Sequence, residues 1–206
     1  MTVQRQPRNA LDCSVSMLTA NLLVLISAGP IAAALGWAYS LRWGAPSLAR
    51  GVWTLLDPKV FLATVLPGIL AHELIHAIAW SIAARRPLSA IRIGIQWRAV
   101  SPYAHPREPM PVGPYRVGAL MPAVVLGFLP AGLAILLGWP LLMAWSLVFV
   151  LAAGGDFVVL WLIRHVPADK LVQDHPTRAG CHVLDGRPPL TSSAASRRTA
   201  PPPARP

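Results

Sequence analysis

Four stretches of this chain, residues 17–41, 60–84, 117–137 and 141–163, hold no Lys or Arg and between them a single Glu and a single Asp. Wound as helices at about 1.5 Å per residue, each is long enough to cross a hydrocarbon layer of ~30 Å. Composition points the same way: 54% of the 206 residues are hydrophobic and 13% charged, whereas soluble domains carry about a quarter charged residues. The expected fold is an all-α membrane protein with four transmembrane helices. Gly138-Trp139-Pro140 leaves so little chain between the last two that they must be antiparallel neighbours.

The formal net charge of +10 comes from 18 Lys and Arg against 8 Asp and Glu. A nucleic-acid-binding chain would gather such charge into one stripe, but here the Arg residues sit in the gaps between apolar runs. They mark sidedness, and no nucleic-acid partner is expected. Arg85, Arg86, Arg92, Arg98, Arg107 and Arg116 lie between the second and third spans, and Arg164 and Lys170 follow the fourth. Loops rich in Lys and Arg stay in the cytosol. The expected location is therefore a plasma membrane, bacterial by expectation, with both termini cytosolic, residues 86–115 on the same side and 42–58 outside. Labelling of Cys181 from outside intact cells would contradict that orientation.

This partition gives a cytosolic N-terminus at 1–14 and a polytopic membrane domain at 15–186. A Pro/Ser/Arg-rich tail, 187–206, is too poor in apolar bulk to order. The alternative for the first span is a cleaved signal peptide, but its apolar run outlasts a usual signal core of about 7 to 15 residues. Cys13 and Cys181 are too few for a disulfide framework, and both are expected to be reduced.

The second span holds its only ionisable residues in one helical turn, His72-Glu73-Leu74-Ile75-His76. On a helix the two His share a face and can bind one zinc ion, with Glu73 placed to act on a zinc-activated water. Inside a bilayer such groups are expensive, about 2.5 to 3.5 kcal/mol for a charged residue at mid-helix, and a metal supplies the compensating partner. Catalytic zinc usually takes a third protein ligand. Asp156 is the candidate, because it lies eight residues before Arg164 while His76 lies nine before Arg85, which puts both about 12 to 14 Å from the same basic boundary. A weaker rival is the pair Asp174 and His175. A structural role also stays open for Asp156, capping a kink at Gly154-Gly155, and for Glu73, orienting a histidine.

The chain resembles the DUF3267 family of zincin membrane peptidases, which are distantly similar to the site-2 intramembrane metalloproteases. The resemblance rests on Ala71-His72-Glu73-Leu74-Ile75-His76-Ala77, Pro114-Tyr115-Arg116-Val117 through Met121-Pro122, Ala153-Gly154-Gly155-Asp156-Phe157, and Asp174-His175-Pro176 with Gly180-Cys181, over about residues 60–185. It implies His72, His76 and Asp156 as zinc ligands and Glu73 as the catalytic residue. The Gly-Gly-Asp-Phe setting of the aspartate departs from the Asn-Pro-Asp-Gly type of the site-2 enzymes. His105 reads as a surface or structural residue and not a ligand, and Asp174-His175-Pro176-Thr177 as a turn or helix start with Asp174 as its cap.

The expected function is a zinc-dependent intramembrane endopeptidase acting on a membrane protein or peptide near the cytosolic face. A membrane metal transporter would leave Glu73 beside a zinc pair unexplained and would need more polar residues along its path. An inactive zinc-binding scaffold is the third class. Between the second and third spans, Ile91, Ile93, Ile95, Trp97 and Ala99 alternate with polar residues or glycine, the pattern of a short cytosolic β-strand or hairpin. Its edge could hold a substrate in extended form, with the apolar odd face on the helices or membrane and proline at Gly94 or Gln96 as the test.

Overall fold

The computed structural model describes residues 10–96 and 101–184. The Pro/Ser/Arg-rich tail, Arg5, Arg8, Trp97, Arg98 and Ala99 lie outside the described residues. The first helix, α1 (Met17–Trp43), starts on Ser16, whose hydroxyl accepts from the Thr19 N–H at 3.1 Å. Gly44 ends it at φ +83°, a conformation that suits glycine, and Pro46 starts α2 (Ala45–Leu56) at once. Asp57 then caps α3 (Pro58–Ala83), accepting from the N–H groups of Lys59 at 2.9 Å and Val60 at 3.2 Å.

Two further apolar stretches are built from pieces. Helix α4 (Val112–Pro122) passes through a π-helical segment, Ala123–Phe128, into α5 (Leu129–Leu137). Gly138, left-handed at φ +70°, turns the chain into α6 (Pro140–Ala152), and α7 (Gly154–Leu162) follows after a break at Ala153. Four helical stretches are thus long and apolar enough to cross a membrane: Met17–Trp43, Pro58–Ala83, Val112–Leu137 and Pro140–Leu162. Their outer faces are apolar, with Leu18, Leu25, Ile26, Leu62, Leu70 and Ile82 all more than half exposed. Contiguous apolar surface of this kind needs lipid or protein to cover it. On the inner side, α1 turns Ala20, Ala28, Ala32 and Gly36 toward its neighbours, a row of small residues that lets helix backbones approach.

The fold departs from an all-α protein. Strand β1 (Ala10–Val15) pairs antiparallel with β6 (Ala179–Leu184), which pairs with β5 (Leu171–Asp174) and, through it, with the short β4 (Met110–Pro111). A separate hairpin, β2 (Ile91–Gln96) with β3 (Ser101–Pro106), lies between α3 and α4. The chain before the first long helix, the connection from α3 to α4 and the chain after the last therefore meet at one end of the helices. The connection at 42–58 is also more structured than a loop. It contains α2, packed on α6 so closely that a Cβ on Gly51 would lie 2.1 Å from the Pro140 carbonyl oxygen.

Cys13 and Cys181, 168 positions apart, face each other across β1 and β6 as free thiols. Burial pushes the Cys181 thiol up to about 12, and its side chain is fully covered. A thiol with so little thiolate reacts slowly with any reagent, so half-buried Cys13 is the better probe of sidedness.

In the hairpin the odd face behaves unevenly, with Ile91 buried but Ile93 and Ile95 more than 40% exposed. The Arg107 N–H donates to the Ala90 carbonyl at 2.9 Å, which fixes the phase of the ladder. Arg92 with His105, Gly94 with Tyr103 and Gln96 with Ser101 are then the hydrogen-bonded pairs. Pro102 and Pro106, which have no N–H, fall at the alternate positions. Proline at Gly94 or Gln96 would therefore break the hairpin itself and would not report on a substrate. The β3 edge at Ala104, whose N–H and C=O point away from β2, is the one turned toward the cluster described next.

Candidate metal centre

Helix α3 carries His72 and His76 four residues apart, so both rings emerge on one face, and both are buried. Asp156 arrives from the other side. The break at Ala153 restarts the helix at Gly154, which places Asp156 in the first turn of α7, where the helix dipole favours a carboxylate. No side chain caps that start. Asp156 is thus spent on the histidines and not on capping the kink. Gly154 lets α7 pack closely on α1: a Cβ there would lie 2.5 Å from Val24.

The three residues converge tightly. His72 Nε2 lies 3.1 Å from His76 Nε2, Asp156 Oδ2 lies 3.3 Å from His72 Nε2, and Asp156 Oδ1 lies 3.3 Å from His76 Nε2. Donor atoms held at 2.0 to 2.1 Å around a tetrahedral zinc sit about 3.3 Å apart, and each imidazole nitrogen of this triangle lies at that distance from one Asp156 oxygen, Oδ2 for His72 and Oδ1 for His76. Among the described residues these are the group of His, Cys, Asp and Glu side chains gathered closely enough to hold a metal ion.

The histidines are oriented from behind. His76 Nδ1–H donates to the Gly118 carbonyl at 2.9 Å, which leaves the Nε2 lone pair facing the triangle. His76 stacks on Trp80, and Trp80 stacks on Tyr115 while its indole N–H donates to the Tyr115 carbonyl at 3.0 Å. Trp80 passes so close to α4 that a Cβ on Gly118 would fall 2.1 Å from its ring. Gly118→Ala should therefore displace Trp80 and the carbonyl that holds His76. We expect zinc affinity to fall by about 10- to 100-fold, measured by chelator competition, with the helical circular dichroism unchanged. Buried His72 Nδ1 has no partner among the described residues.

Glu73 does not enter the triangle. It is half-buried in the wall of a cavity of about 330 Å³ that also exposes His72, His76 and Asp156, and the Ala104 backbone N–H of β3 is directed at its carboxylate. That volume is at the small end for a ligand pocket.

The rival ligands have other partners. Asp174 ends β5 and accepts from the Tyr115 hydroxyl at 2.6 Å and from His105 Nδ1 at 2.6 Å. His175, not Asp174, organises the turn that follows, its Nδ1 accepting from the N–H groups of Thr177 and Arg178. His105 is a surface residue, with 53% of its side chain exposed, and it joins Asp174 at the wall of the same cavity. The sequence singled out the segments around Tyr115 and Asp174 but offered no sign that they meet, because the contact depends on the β4–β5 pairing. Arg116, one of the arginines between spans, donates to the carbonyls of Ile163 and Val166 and ties α4 to the end of α7.

A family model described as "Putative zincin peptidase" (DUF3267) matches residues 65–171, just over half of the chain. No curated protein and no solved structure matches it.

Proposed function

The chain belongs to the DUF3267 family, and from that premise together with the cavity we propose that it is a zinc-dependent endopeptidase that hydrolyses a peptide bond of a membrane-embedded or membrane-adjacent substrate. The observation that carries this reading is the convergence of His72, His76 and Asp156 on one point, with Glu73 beside them in a single cavity. His72 Nε2, His76 Nε2 and a carboxylate oxygen of Asp156 would hold the zinc. When bound, zinc supplies Lewis acidity that makes a water nucleophilic near neutral pH and polarises a carbonyl.

The chain's own residues do the rest. Glu73 takes a proton from the attacking water and later delivers it to the leaving nitrogen. The Gly118 carbonyl keeps the His76 ring in the tautomer that presents Nε2. Water must reach a depth that lipid would keep dry, and the polar cavity supplies that space. In this reading the four helices long and apolar enough to cross a membrane do so, with their basic flanking segments and both strand-forming ends on the cytosolic side. The folded unit reaches back beyond the expected limit at residue 15, since β1 starts at Ala10 and pairs with β6.

A metal transporter would need metal-binding side chains along a path through the helices, and the first and third spans contain no His, Cys, Asp or Glu. The test is cleavage of a reconstituted single-span protein by the purified chain. Chelation should stop cleavage and added zinc restore it, whereas cleavage untouched by chelator would refute the reading.

A further inference from the structure

The same cavity holds a second polar group that the zinc chemistry leaves unused. The Asp174 carboxylate, with 17% of its side-chain surface exposed, has one oxygen on the Tyr115 hydroxyl and the other on His105 Nδ1, both at 2.6 Å. Contacts of that length to a carboxylate are strong and directional. Tyr115 is buried and comes from α4, so Asp174 is fixed from the helical side and in turn fixes the His105 ring. Tyr103 stacks on that ring at 5.2 Å between centroids. With Nδ1 engaged, Nε2 lies on the opposite edge of the imidazole. The ring stands where the 330 Å³ cavity opens into a wider cleft of about 620 Å³ bordered by Arg92 and Arg107.

We propose that His105 is a second catalytic residue of this site, its Nε2–H donating to the oxygen of the scissile carbonyl while Asp174 and Tyr115 act as positioning residues. The proposal rests on the peptidase reading above. When the water oxygen bonds to the carbonyl carbon, one water proton passes to Glu73 and the π pair moves onto the carbonyl oxygen. When the C–N bond breaks, that pair returns, and the nitrogen leaves with the bonding electrons and takes the proton from Glu73. His105 keeps its proton throughout. Its part is to meet the transient negative charge with a donor oriented in advance by Asp174; 53% of the His105 side chain is exposed, which puts the effect at the lower end of what prearranged donors give.

The surroundings favour a charged imidazole. The hydrogen bond to Asp174 raises the His105 imidazole from its ordinary value against the opposing effect of burial, with further help from the charges of Asp174 and Glu73 and a small opposing effect of Arg92. Deprotonation should therefore end its contribution on the alkaline side.

The experiment compares full-length zinc-loaded His105→Ala, His105→Gln, Asp174→Asn and Glu73→Gln on a fluorogenic peptide. His105→Ala should lower kcat by about a hundredfold with little change in KM and full zinc content. His105→Gln, a neutral donor, should recover part of that loss and remove the alkaline limb of the kcat/KM profile. In metal-free wild-type protein, nuclear magnetic resonance titration should place His105 above an ordinary histidine, and Asp174→Asn should return it to the ordinary range. Wild-type kcat in a folded, zinc-replete His105→Ala, or an ordinary titration of His105 in the wild type, would overturn the proposal. A wild type that does not cleave, or a Glu73→Gln variant that cleaves as well as the wild type, would remove the peptidase reading and this proposal with it. Loss in Glu73→Gln with none in His105→Ala would remove the proposal alone.

Discussion

Glu73→Gln is expected to keep about one zinc per chain and to lose cleavage by about 10³- to 10⁴-fold, which corresponds to roughly 4 to 5.5 kcal/mol of transition-state stabilisation. Glutamine preserves the volume and the contact available to the Ala104 N–H, but it has no basic oxygen to take a proton from water. The geometry makes the separation of effects clean. Glu73 points into the cavity while the donor triangle is built without it. A transporter or an inert scaffold would pass the same substitution with its zinc and its behaviour intact, so cleavage and metal content measured on one preparation distinguish all three classes.

Asp156→Ala carries the second large effect. It leaves two imidazole nitrogens 3.1 Å apart with no carboxylate to complete the site. Removing even a group behind a ligand typically weakens metal binding by 10- to 100-fold, and removal of a ligand should exceed that. A fall of more than about 10²-fold in zinc affinity is expected by chelator competition. The wild type should also gain about 2.7 kcal/mol of stability when zinc is present at a hundred times its Kd, a gain visible as a rise in Tm. Asp156→Ala should keep less than about 0.4 kcal/mol of that gain at the same zinc concentration. An undiminished rise would assign the third donor elsewhere, and Asp174, held by Tyr115 and His105, would be the residue to change next.

How much could be read beforehand varies by element, for physical reasons. The four long apolar stretches are visible because a span must be apolar along its whole length, and Gly154-Gly155 marked the place where the fourth breaks. His72, Glu73 and His76 stand out because three ionisable groups in one apolar turn demand a partner. Asp156 was reachable through depth alone. The sheet at the helix ends was not, since β1 and β6 pair residues as distant as Ala10 and Leu184 and neither strand alternates cleanly. Strand β3 was hidden by Pro102 and Pro106, which look like breakers until the ladder phase puts them where no N–H is needed. The Tyr115–Asp174–His105 group joins three elements and carries no local spacing rule, so only the folded chain assembles it.

Metal analysis of the detergent-purified protein, wild type beside His72→Ala, His76→Ala and Asp156→Ala, tests the central claim most directly. The account predicts about one zinc per wild-type chain and less than about a tenth of that in each variant after dialysis against a weak chelator. A wild type without zinc, or stoichiometric zinc retained in either histidine variant, would contradict it.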